Sequence, residues 1–198
     1  QIAKRTRESG KGGPISSESA SALVERASKQ LILGEYRPAL ESVDLAIERN
    51  QNFGQAWALK ARLVAAEDDS MKEAMKCLRR ANALGEYTVI LESEILENDG
   101  RTDASIEVLE EHLQRSPGDS EARGRLSQLW LSSGSADSAR QTLEEAPEES
   151  WNSSTLHVMK GRLSLVESDH HRDETGKVDQ IPVIDALVSF DRAIELDR

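Results

Sequence analysis

Long apolar runs are missing from this sequence. No stretch approaches the roughly 20 apolar residues that a membrane-crossing helix needs, and nothing at the start has the charged-then-apolar form of a signal peptide. A single cysteine, Cys77, excludes an intramolecular disulfide and a multi-thiolate metal site. Positive charge is scarce: 25 Lys and Arg stand against 36 Asp and Glu, a formal net charge of -11, so the averaged field repels phosphate backbones and nucleic acid is not an expected partner. Gly-x-Ser-x-Gly, Gly-x-x-x-x-Gly-Lys, Gly-x-Gly-x-x-Gly and His-Glu-x-x-His are all absent. Neither a catalytic site, a metal nor a cofactor is therefore expected.

Aromatic residues make up only 4% and apolar residues 37%, while Ala, Leu, Glu and Arg are abundant. That mixture suits solvated helices with narrow apolar stripes, and predicts an all-α chain. Residues 1–18 carry Lys4, Arg5, Arg7, Lys11 and Pro14 with almost no apolar periodicity, which predicts a flexible basic leader or linker. From Ser19 onward apolar residues recur at helical spacing: Leu23, Ala27, Leu31, then Leu40, Val43, Ala46 and Ile47. Gly34-Glu35-Tyr36 punctuates these two segments.

Comparison at a fixed offset exposes a period. In every second helix but one, a small residue, a large apolar one and another small one recur: Ala39, Val43, Ala46; Ala74, Leu78, Ala81; Ala139, Leu143, Ala146; Ala186, Phe190, Ala193. The third unit is degenerate, with Ser105, Leu109 and His112. First helices carry a small residue at a matching place, Ala27, Ala61, Ser93, Ser127 and Gly161, where paired helices must come close. A period of this length signals stacked supersecondary units. Gly161 and Ala186 are further apart than their equivalents, which places an insertion within residues 168–180, a polar turn containing Asp169, His170 and His171.

The pattern resembles the tetratricopeptide repeat. Trp57 and Ala61 match the aromatic and small positions in repeat two. Leu126, Trp130, Gly134, Ala139, Leu143 and Ala146 follow the pattern through repeat four, and Pro117 stands at the inter-repeat proline. The resemblance implies a right-handed superhelix, an α-solenoid of stacked antiparallel hairpins near 20–52, 53–85, 86–118, 119–150 and 151–198.

It further implies a non-catalytic scaffold that holds a peptide or protein in a concave groove. Carrying the family's groove positions across selects Val24, Ser28, Leu59, Arg62, Ile90, Glu94, Arg125, Gln128, Val158 and Arg162. Arg62, Arg125 and Arg162 are expected as donors to a carboxylate or acidic peptide inside an acidic shell. The two-carboxylate clamp of chaperone-binding members is not expected, because its places fall on Val24, Ser28, Leu59, Tyr87 and Leu91. The alternative is a regulatory or docking domain of a larger, membrane-anchored enzyme or assembly protein, with Lys4, Arg5 and Arg7 just after a spanning helix outside this excerpt. A cytoplasmic and a periplasmic location both fit.

The remaining motifs have plainer readings. Asp169-His170-His171 with Asp173 and Glu174 reads as a solvated loop, His112 and His157 as structural, Cys77 and Met75 as core, and Trp57 and Trp130 as packed between helices. The last helix offers Leu187, Val188 and Ile194 with no following repeat, which predicts an exposed apolar end that further repeats or a homodimer contact would hide.

Overall fold

The computed structural model describes residues 18–66, 70–170 and 180–198. The expected basic leader lies almost wholly outside them, as do residues 171–179 of the expected polar turn. Among the described residues there are ten α-helices and no strand: α1 (Ala20–Ile32), α2 (Tyr36–Arg49), α3 (Gly54–Ala65), α4 (Met71–Ala83), α5 (Val89–Asn98), α6 (Thr102–Arg115), α7 (Ser120–Ser132), α8 (Ala136–Glu144), α9 (Ser154–His170) and α10 (Gln180–Leu196). A short 3-10 turn, Glu148–Asn152, precedes α9. Consecutive helices pair as antiparallel hairpins, α1 with α2 through α9 with α10, and the hairpins stack into an α-solenoid.

Local chemistry sets the ends. Ser19 caps α1 by accepting from the Ala22 amide at 3.2 Å, and Asp119 caps α7 by accepting from Glu121 and Ala122. Between α1 and α2 the chain turns at Gly34 with φ +76°, a left-handed conformation that lets the Glu35 amide reach back to the Gln30 carbonyl. Glycines 100 and 134 turn the third and fourth hairpins in the same conformation.

Small residues set the crossing distances. Ala27, Ala39, Ala61, Ala74, Ser93, Ser105, Ser127 and Ala139 are all fully buried, so paired backbones approach closely and the flanking leucines interlock. At the degenerate third crossing the two serines satisfy each other: their hydroxyls lie 2.8 Å apart, and Ser105 Oγ also donates to the Ser93 carbonyl. Ser127 Oγ is buried with no hydrogen-bond partner. Ser127→Ala removes that unpaired hydroxyl and adds helix propensity, so it is expected to raise unfolding stability by about 1 kcal/mol, measured by urea titration.

The fifth hairpin differs from the sequence expectation. Its added length is not confined to a turn, because α9 continues through Ser168 to His170. Ser168 is buried and donates to the Leu165 carbonyl. Pro182 stands in the first turn of α10, where its missing amide proton costs no helical hydrogen bond.

Candidate functional site

First helices form one layer. Contacts run from α1 to α3, α3 to α5, α5 to α7 and α7 to α9, while α2, α6 and α8 each sit between their own first helix and the next. Neighbours touch along the first-helix layer, which makes it the tighter, inner side of the stack. One residue per first helix stands directly after the small crossing residue: Ser28, Arg62, Glu94, Gln128 and Arg162.

Two of the three candidate arginines are already engaged. Arg62 Nη2 donates to Glu94 Oε2 at 3.1 Å across the α3–α5 boundary. Arg125 donates through Nη2 to Glu97 and through Nε to Ser93 Oγ at 3.2 Å, and its side chain is largely buried. Their expected role as open donors to an acidic ligand is thereby replaced, in this arrangement, by inter-repeat bracing. Arg162 is exposed and makes no hydrogen bond or ion pair among the described residues. Gln128 is half-buried, Leu165 on α9 is exposed, and Leu59 and Val158 pack partly against core clusters. The Arg62–Glu94 pair is half in solvent, so Arg62→Ala is expected to change stability by less than about 1 kcal/mol in chemical denaturation.

A second polar cluster pins the junction of the third and fourth hairpins. Tyr87 donates to Asp119 Oδ2 at 2.7 Å, His112 Nε2 lies 2.7 Å from the same oxygen, and the two rings meet edge to face. Burial pushes the Asp119 carboxyl up, but hydrogen bonds from the Ala122 amide, Tyr87 and His112 outweigh it and hold the group below its ordinary 3.8. The Tyr87 phenol is pushed up by burial and by the hydrogen bond to this carboxylate. A depressed carboxyl contributes stability that is complete above the ordinary value and is lost as pH falls through the folded-state value. Asp119→Asn keeps a capping oxygen but not the charge. Its deficit in melting temperature is therefore expected to be widest above about pH 5 and to shrink below about pH 4.

Residues 98–160, from the end of α5 to the middle of α9, match the family model described as tetratricopeptide repeat. This segment is similar to the tetratricopeptide repeat. Among solved structures, a tetratricopeptide repeat protein from Parabacteroides merdae is 16% identical, with a TM-score of 0.61 over 92% of this chain and 67% of that one. PilF of Pseudomonas aeruginosa is 17% identical, with a TM-score of 0.59 over 88% of this chain and 76% of that one. TTC0263, a tetratricopeptide repeat protein of Thermus thermophilus, is 22% identical, with a TM-score of 0.57 over 77% and 83%. At such identities the likeness is one of fold. No curated protein sequence matches the chain.

The repeat assignment explains several side chains that might otherwise suggest chemistry. Trp57 and Trp130 are partly buried, each packed against two core clusters. Cys77 is buried, and burial pushes its thiol up, away from the reactive thiolate. His157 lies against the Trp151 ring and within 3.0 Å of the Trp151 carbonyl, tying α9 to the short turn before it. Arg123, a site the sequence reading did not single out, is 4% exposed and donates to the Thr142 and Pro117 carbonyls at 2.8 and 2.9 Å. It fastens the start of α7 to the end of α8. Among the described residues no three His, Cys, Asp or Glu side chains gather as a metal site, and no helix is long and apolar enough to cross a membrane.

Proposed function

We propose that this chain is a non-catalytic scaffold that holds a peptide or protein segment against its layer of first helices, at the α7–α9 end. The observation that carries the proposal is the contrast among the three arginines. Glu94 and Glu97 neutralise Arg62 and Arg125, whereas Arg162 stays open beside exposed Leu165 and one repeat from Gln128. An unpaired guanidinium flanked by apolar surface suits a segment that offers a carboxylate next to apolar side chains. Val158, one turn before Arg162, packs partly against the core beneath this face.

Photo-crosslinking in the native cell tests the face. Benzoylphenylalanine is placed at Gln128 or Leu165 on the first-helix layer, and at Glu107 or Gln141 on exposed faces of second helices. Discrete protein adducts are expected from the first pair and not from the second. Adducts from α6 and α8 alone would remove the first-helix layer as the binding face. If an adduct forms at Leu165, Arg162→Glu is expected to abolish it.

A further inference from the structure

The two ends of the array differ at the places where one hairpin packs on the next. Inside the array, Ile47 of α2 and Ile106 and Leu113 of α6 are buried, and Leu40 of α2 is partly so. What covers α6 is α7, through Ala122, Leu126 and Leu129, a small residue and two leucines at i, i+4 and i+7. The equivalents of Ile106 and Leu113 in α10 are Leu187 and Ile194, and these are 60% and 54% exposed. At the other end, α1 carries Arg26 and Lys29 where α7 has Leu126 and Leu129. Arg26 is paired with Glu18 and Ser42, and Lys29 with Glu25. The first end is finished with charge and the last end is open.

We propose that the open face of α10 is a docking site for the first helix of another helix hairpin, one presenting a small residue and two large apolar residues at i, i+4 and i+7. The occupant follows from continuity with the interface that α2, α6 and α8 each build with the next first helix, since α10 offers the α6 pattern to whatever comes next. The polar face of α1 excludes the head of a second copy: packing Leu187 and Ile194 on Arg26 and Lys29 would bury charge without new partners. Ile184 and Val188, also exposed, stand where α2 has Arg37 and Glu41 and α6 has Asp103 and Glu107. They lie beside the inter-repeat stripe and distinguish a hairpin from other occupants.

The probe is a copy of residues 116–147 fused after Leu196, the position that Arg115 holds in α6. This hairpin brings α7 to the open face and ends on α8, where Arg140 replaces the apolar residue, so its own outer face is polar. Hydrogen exchange is expected to show the added α7 protected by roughly 100-fold or more over unfolded chain, with the melting temperature raised by about 5 °C. Leu187→Asp with Ile194→Asp should abolish both effects, and Ile184→Asp with Val188→Asp should leave them. In the protein without the extension, both double variants are expected to melt like the parent, which separates lost docking from lost folding. The proposal is overturned if the added helix exchanges like unfolded chain or if the Ile184 and Val188 pair alone controls protection. It is overturned equally if the unextended protein sediments as a dimer that Leu187→Asp dissociates, because the occupant is then a second copy.

Discussion

Leu109→Ala is expected to lower unfolding stability by about 3 kcal/mol, within the range for a fully buried leucine truncated in a packed core. Leu109 is completely buried on α6, in a cluster with Leu113 of its own helix and Ala122, Leu126 and Leu129 of the next hairpin. The void therefore opens both within a repeat and between two repeats. Stability in a stacked array is carried by single hairpins and by the interfaces between neighbours. Loss at an interface should thus uncouple the halves as well as weaken them. Urea unfolding followed by circular dichroism should show a lower midpoint and a broader transition. An unchanged midpoint would contradict the packing described for α6 and α7.

The second large effect is steric. A Cβ added at Gly161 would lie 2.7 Å from the Phe190 Cε1 atom, far inside ordinary contact distance, so the ring fills the space that the glycine leaves. Gly161→Leu is expected to cost about 3 kcal/mol, because overpacking of this kind exceeds the helix propensity gained on replacing glycine. Thermal melting measures it. Gly161→Ala alone already brings the Cβ against the ring and is expected to destabilise, and adding Phe190→Leu should recover most of that loss, which a merely local helix effect would not.

The repeat architecture was legible because helix crossings demand small residues. Ala27, Ala61, Ser93, Ser127 and Gly161 recur for a geometric reason, and so do Ala39, Ala74, Ser105 and Ala139. The degenerate third unit keeps that rule by using two serines that hydrogen-bond to each other. The exposed apolar end at Leu187, Val188 and Ile194 was legible from the apolar spacing of the last helix, in which Leu187 and Ile194 stand at inter-repeat places.

The electrostatics of the inner layer were harder to foresee. Arg62 and Glu94 were both placed on the groove face, yet their pairing crosses a repeat boundary, 32 residues along the chain. Glu97, one turn beyond Glu94, was not among the groove candidates, although it is the carboxylate that engages Arg125. The spacing of roughly one repeat between each arginine and its acid was the available signal. His112 likewise drew notice for occupying a small residue's place, but its partner Asp119 reads locally as a helix cap and only the fold brings Tyr87 to the same oxygen. The added length of the fifth hairpin was legible in the sequence, but its polar residues suggested a turn throughout, whereas α9 stays helical to His170 with Ser168 buried.

The proposed binding face requires the first helices to form the inner layer of a curved stack, with the second helices outside. Distances between paired spin labels test this without knowledge of the partner, in a Cys77→Ala background. One pair is placed at Arg62 and Gln128 on α3 and α7, and the other at Lys76 and Gln141 on α4 and α8, so both span the same two repeats. The inner pair is predicted to be the shorter. An outer pair as short as the inner one, or shorter, would contradict the curvature and with it the assignment of the binding face.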